Sequence, residues 1–220
     1  SPTQHAVERN LEIIKFLGAA PGKPEFFIET GKDDEKFAGE LLQENKIGVS
    51  KILVGFFCGA GIKQKMWPAE NFASLANLLL ENTDTAVVFF GSAKDAGCVN
   101  EVSAMIKNRE RIVNAAGRTN LKQLCALIKK CRLVVGNDTG PLHLAAALNV
   151  IPVALFGPSS PEILSPYHPE TVCFYKGLEC SPCGISPLCT DNKCMKQIGV
   201  DEVFRAVQKV IASGAKQSHD

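Results

Sequence analysis

A chain of 220 residues with 45% apolar side chains can bury one large core, or one domain with an appendage. Its formal net charge of +1 gives no sign of the basic surface that nucleic-acid binding needs, so no nucleic-acid partner is expected. No apolar run approaches the roughly 20 residues of a membrane-spanning helix, and the opening Ser1-Pro2-Thr3-Gln4-His5 lacks the basic start and apolar core of a secretory leader. A cytoplasmic protein is the expectation, and the missing initiator Met points to processing or a fragment.

Helical periodicity opens the chain, with Val7, Leu11, Ile14 and Leu17 near one face of a helix over 6–17. Phe26-Phe27-Ile28 reads as a short strand, and 33–45 as a polar helix. From Lys51 the pattern is regular. Strands are expected at 52–57, 86–90, 111–113, 133–135, 153–156 and 171–175, and helices at 69–82, 94–107, 121–130, 141–148 and 201–211. Continuously apolar strands alternating with helices imply a parallel sheet covered on both faces. Right-handed crossovers make it a doubly wound, Rossmann-like α/β domain. Ligands of such sheets bind beyond the carboxyl ends of the strands. That rule gathers residues 58–68, 91–95, 117–120, 137–143 and 157–160 at one edge.

The most informative of these segments is Val134-Val135-Gly136-Asn137-Asp138-Thr139-Gly140-Pro141-Leu142-His143, continuing to Leu148. An apolar strand ends in a small polar turn, and a helix opens with Pro near its first turn. The unpaired N–H groups and the positive end of the helix dipole then face the turn, ready for an anion. Asp138, Thr139 and His143 add hydrogen-bonding groups at the same mouth. A capped helix after a core strand is the plain alternative. His143, set against the helix dipole that disfavours its charged form, favours a ligand role.

The loop Cys58-Gly59-Ala60-Gly61-Ile62-Lys63-Gln64-Lys65-Met66-Trp67-Pro68 offers glycines for close backbone approach and lysines for phosphate charge. It lacks Gly-Lys-Ser/Thr and is not a P-loop. Lys63 reads as a solvated loop lysine, whereas Lys65, beside Trp67-Pro68, reads as functional. Asp95 suits ribose hydroxyls because a carboxylate accepts two hydrogen bonds, although a helix-start acid is the simpler reading. Gly117-Arg118-Thr119-Asn120 could present backbone groups to a base.

Together, Lys65-Met66-Trp67-Pro68, residues 136–148 and Val153-Ala154-Leu155-Phe156-Gly157-Pro158-Ser159 resemble the donor-binding half of glycosyltransferase family 9, the bacterial ADP-heptose:lipopolysaccharide heptosyltransferases. The resemblance runs over about 6–211. It implies the C-terminal half of a GT-B fold, in which two Rossmann-like domains face each other. Its implied reaction is inverting, metal-independent transfer of heptose from ADP-heptose to the lipopolysaccharide inner core. No cofactor is implied beyond that donor substrate. Carried over by position, Lys65 contacts the phosphates, Asp95 the ribose, and Arg118 and Thr119 lie beside the adenine. Asp138 holds heptose hydroxyls, the Thr139 and Gly140 amides meet the diphosphate, and His143 lines the same pocket. Lys65 and His143 are the groups expected to support the transition state.

The family's general base lies in an N-terminal acceptor domain that would precede residue 1. On this reading residues 1–45 are the interdomain helix and its lead-in, and 46–215 the donor domain with a Cys-rich loop at 177–197. The chain is then expected to bind the donor without catalysing transfer alone. Its partners are the nucleotide-sugar donor, the lipopolysaccharide core acceptor and the absent N-terminal domain, with peripheral contact at the inner face of the cytoplasmic membrane. Cys58 departs from the Pro that many members carry there.

Nine cysteines are many for such a protein. Cys58, Cys98, Cys125, Cys131 and Cys173 read as small core hydrophobes. Cys180, Cys183, Cys189 and Cys194 form a tight group that leaves four readings open: structural thiols, a tetrahedral metal site, disulfides or a redox pair. No metal is assigned there, the four thiols being the one candidate site. Two other functions remain beside the first. One is another nucleotide-sugar GT-B enzyme, a UDP-sugar transferase or an epimerase. The other is a non-enzymatic binding module built on the Cys cluster.

Overall fold

Ile52–Phe57 forms β1, and every residue after Ile52 in it is buried, which explains why its sequence does not alternate. The computed structural model describes residues 4–48, 51–184 and 189–214. Two helices precede the strand, α1 (Ala6–Phe16) and α2 (Lys32–Glu44). After it come α3 (Ala69–Asn82), β2 (Thr85–Phe90), α4 (Ala96–Ala104), β3 (Ile112–Asn114), α5 (Leu121–Lys129), β4 (Cys131–Asn137), α6 (Gly140–Ala147) and β5 (Ile151–Phe156). A short α7 (Pro161–Leu164), β6 (Val172–Tyr175), α8 (Lys193–Lys196) and α9 (Val200–Gly214) complete the described chain.

The strands make one parallel sheet in the order β3-β2-β1-β4-β5-β6. This is the doubly wound α/β sheet expected, of the Rossmann-like kind from which GT-B enzymes are built. Alternate residues of β1 serve two cores. Val54 and Phe56 pack with α3, α4, α8 and α9 on one face. Leu53 and Phe57 pack with α2, α5 and α6 on the other. Between them Gly55 has no room for a side chain, since a Cβ there would lie 2.6 Å from the Phe90 ring. That closeness lets Phe90 stack on Phe57, centroids 5.0 Å apart.

Three expectations need correction. Phe26-Phe27-Ile28 forms no strand. The segment pairs with neither edge of the sheet, and Phe27 is left 88% exposed while Phe26 sets its edge on Tyr167. The helix expected over 94–107 is shorter. A 3-10 turn, Ala93–Asp95, precedes α4, and Arg109 folds back so that Nη2 donates to the Ala104 carbonyl at 2.9 Å. Cys173 is exposed, because β6 is an edge strand with nothing beyond it in the sheet. The neighbouring assignments are as expected, with Cys58, Cys125 and Cys131 buried and Cys98 half-buried against the core. The short α7 and α8, four residues each, give too little periodicity to be read from sequence.

Burial controls thiol chemistry here. It pushes the Cys131 thiol up to about 12 and the Cys58 thiol well above its usual range, so neither forms a thiolate near neutral pH. Cys180 and Cys183 are exposed. Brief alkylation of the folded protein at pH 8, followed by peptide mass spectrometry, should therefore label Cys180 and Cys183 well before Cys58 and Cys131. Equal labelling of all four would contradict the packing.

Candidate functional site

The strand order reverses between β1 and β4. The chain leaves β1 toward β2 and β3, and leaves β4 toward β5 and β6. The loops at their carboxyl ends diverge there and open a crevice. A cavity of about 360 Å³ occupies it, and its walls include Gly59, Gly91, Asp95, Thr119, Thr139 and Pro141. Residues from four separate loops thus meet as the sheet rule requires. A Cβ at Gly59 would sit 2.1 Å from Asp95 Oδ1, so any larger residue there would displace the Asp95 carboxylate. Bare backbone consequently lines that side of the cavity.

Asp95 does local work as well as facing the crevice. Its Oδ2 accepts hydrogen bonds from the Ser92 N–H and the Ser92 hydroxyl, both at 2.7 Å, which fixes the turn into α4. Its Oδ1 lies over Gly59. Thr119 joins the cavity wall. The neighbouring Arg118 side chain turns away, with Nη2 3.1 Å from Glu44 Oε2 on the exposed surface of α2. An adenine role for that guanidinium would require it to leave Glu44.

On the β4 side, Lys65 ends a 3-10 turn (Lys63–Lys65) that carries its side chain to Asp138. Lys65 Nζ lies 2.5 Å from Asp138 Oδ2 and 3.4 Å from the Asp138 carbonyl. Asp138 is 6% exposed. A buried carboxylate needs such a partner, and here the two residues expected to hold different parts of a ligand hold each other. Thr139 directs its hydroxyl to the Asn137 carbonyl at 3.1 Å, and no side chain caps α6. The N-terminus of α6, containing Gly140 and Pro141, accordingly presents backbone dipole to the crevice. His143 lies one turn further on. Partial burial holds its imidazole below the usual histidine range, aided by the nearby His5 and Lys65 and opposed by Asp138. A neutral ring follows at pH 7, able to donate one hydrogen bond and accept another.

The sequence reading passed over Asn137. It is wholly buried at the end of β4. Its Oδ1 accepts the Trp67 N–H at 2.8 Å, and its Nδ2 donates to the Cys58 carbonyl at 2.8 Å. A polar side chain closing an apolar strand was the signal available. The Cys-rich loop shows no disulfide, as all nine cysteines are free thiols. Cys180 and Cys183 are exposed, Cys189 is half-buried and Cys194 is buried. Among the described residues, no three His, Cys, Asp or Glu side chains gather around one point. Residues 185–188 of that loop lie outside the described residues.

Comparison with known proteins gives one family. The family model described as Glycosyltransferase family 9 (heptosyltransferase) matches residues 1–191. Over 117 residues the chain is 44% identical to lipopolysaccharide heptosyltransferase 2 of Salmonella typhimurium, covering 52% of this chain and 33% of that protein. Its fold is similar to the crystal structure of a family 9 glycosyltransferase from Veillonella parvula, with a TM-score of 0.86 at 27% identity, covering 96% of this chain and 61% of that one. The structure of E. coli ADP-heptose lps heptosyltransferase II follows at a TM-score of 0.72 and 27% identity, covering 89% and 56%. The chain thus spans less than two thirds of each of these proteins. With a match of this extent and a fold to agree with it, the chain belongs to glycosyltransferase family 9, the heptosyltransferase family.

Proposed function

We propose that this chain is the donor-binding part of a heptosyltransferase of lipopolysaccharide core assembly, and that it binds ADP-heptose. The observation that carries the reading is that the Lys65–Asp138 pair stands next to the uncapped N-terminus of α6, whose Thr139 and Pro141 wall the crevice where the strand order reverses. Residues 46–215 form the donor unit on this reading, and residues 1–45 lead into it from an acceptor domain, with α2 packed into its second core. α1 fits the lead-in role. It buries none of its residues, and Phe16 is 90% and the following Leu17 76% exposed, apolar surface suited to a second domain.

The donor's diphosphate lies on this reading against the Thr139 and Gly140 amides with Lys65 beside it, and the ribose faces Asp95. Thr119 is next to the base, with Arg118 able to join it. Asp138 takes heptose hydroxyls and His143 borders the sugar. Cleavage of the sugar–phosphate bond leaves added negative charge on ADP. Fixed amides, the α6 dipole and the Lys65 ammonium stabilise that charge as it develops, in the role a divalent cation fills in other transferases. An acceptor hydroxyl attacking from the opposite face inverts the anomeric centre, and the base that takes its proton comes from the acceptor domain. The chain alone then binds without turning over. The acceptor is the lipopolysaccharide core, met by peripheral contact at the inner face of the cytoplasmic membrane. No helix among the described residues is long and apolar enough to cross a membrane.

Calorimetric titration with ADP, ADP-heptose, UDP and GDP in one buffer tests this. Selective binding of the adenine ligands, tighter for ADP-heptose, is expected. Preference for UDP would move the chain toward a UDP-sugar enzyme and overturn the donor assignment.

A further inference from the structure

One peptide unit beside the proposed phosphate lysine is held at both of its polar ends. The bond between Met66 and Trp67 offers a carbonyl on one side and an N–H on the other. The Trp67 N–H donates to Asn137 Oδ1 at 2.8 Å, and the Met66 carbonyl accepts from Asn192 Nδ2 at 2.9 Å. Neither bond belongs to a helix or a sheet ladder. Two amide side chains, from opposite sides and 55 positions apart in sequence, close on the same plane.

Each amide is itself fixed. Asn137 is wholly buried, and its Nδ2 also donates to the Cys58 carbonyl at 2.8 Å and reaches the Gly59 carbonyl at 3.4 Å. It therefore ties the ends of β1 and β4 to the segment after Lys65. Asn192 stands at the start of α8 in a left-handed conformation, φ 52°, with its own carbonyl accepting the Met195 and Lys196 N–H groups at 3.1 Å. The Trp67 indole reinforces that side, donating from Nε1 to the Ile198 carbonyl at 2.9 Å. Such bonds are directional, and a buried amide left unpaired is penalised, so the peptide plane has little freedom.

We infer that Asn137 and Asn192 are positioning residues that together set where Lys65 stands in the donor site. Lys65 is the residue before the clamped peptide unit, and its ammonium ends beside Asp138, the neighbour of Asn137. Fixing the plane fixes the root of the lysine to which the diphosphate is assigned, and small displacements of such a group weaken its action strongly. The Cys-rich segment acquires a role by this route. Asn192 lies within it, between Cys189 and Cys194, so that segment forms one jaw of the clamp.

This inference rests on the proposed donor reading, and its test separates the two. ADP affinity is measured for the wild type, Asn137→Ala and Asn192→Gly, each with and without Lys65→Ala. Glycine at 192 tolerates the left-handed backbone while removing the amide side chain, so it is the variant safest for folding; circular dichroism and emission from Trp67, the one tryptophan, monitor the fold. Asn137→Ala should raise the Kd for ADP about tenfold and Asn192→Gly about fourfold. In the Lys65→Ala background each loss should shrink below about twofold, since residues acting through one group are non-additive. Equal losses in both backgrounds would mean that the amides act on ADP by a route other than Lys65, and would overturn the inference. Unchanged affinity in Asn192→Gly would overturn the jaw assigned to the Cys-rich segment. No ADP binding by the wild type would remove the donor reading, and the inference with it.

Discussion

Lys65→Ala is expected to weaken ADP and ADP-heptose alike, by about 10- to 100-fold, the worth of a charge-assisted hydrogen bond to phosphate in a partly dry site. Asp138→Ala should behave differently. Its carboxylate holds Lys65 at 2.5 Å, so removing it frees the ammonium for the diphosphate. ADP affinity should hold or improve by a few-fold, while ADP-heptose weakens about tenfold through the lost sugar contact. The two substitutions thus move ADP in different directions although they break one ion pair. Calorimetry with both ligands on both variants reads this, and an equal loss for ADP and ADP-heptose in Asp138→Ala would contradict the sugar role. Stability gives a second view. Asp138 is only 6% exposed, and Lys65→Ala leaves it without its cation, a change worth about 3 kcal/mol when one partner of a buried pair is removed. Lys65 is 17% exposed and reaches water more readily, so Asp138→Ala should destabilise less. Urea unfolding at pH 7 compares them.

The sheet was legible because its strands declare themselves locally. Ile52–Phe57 and Ala69–Asn82 match their expected limits, since an apolar run or a 3.6-residue period needs only neighbouring residues to be seen. The edge that collects the ligand loops followed from the same pattern through topology. Pairings between distant side chains did not follow. Lys65 with Asp138, and Arg118 with Glu44, join positions 73 and 74 residues apart, and nothing in either segment names its partner. Asp95 illustrates the middle ground: the sequence allowed either a ligand carboxylate or a helix-start acid, and the side chain caps Ser92 while also standing in the cavity wall. The Phe26–Ile28 segment marks the opposite failure. Its residues favour strand, but the segment pairs with neither open edge of the sheet, and Phe26 meets Tyr167 instead.

Trp67→Ala should cost about 4 kcal/mol of stability, in the range for emptying an aromatic site in a packed core. The indole is 1% exposed and meets Phe72 edge-on at 5.0 Å, in the core built by α3 and α9. Its truncation also leaves the Ile198 carbonyl without the Nε1 donor at 2.9 Å. Trp67→Phe retains much of the volume but loses that bond, so about 1–2 kcal/mol is expected. Binding should respond less than stability. The contact that orders the Lys65 segment uses the Trp67 backbone N–H, which alanine retains. At a urea concentration where Trp67→Ala is still folded, its ADP affinity should therefore fall by less than that of Lys65→Ala. A stability loss under about 1 kcal/mol would show that the site around Trp67 collapses or is poorly packed, against the observed burial. An affinity loss equal to that of Lys65→Ala would instead assign the placement of Lys65 to the indole anchor rather than to the amides that hold its backbone.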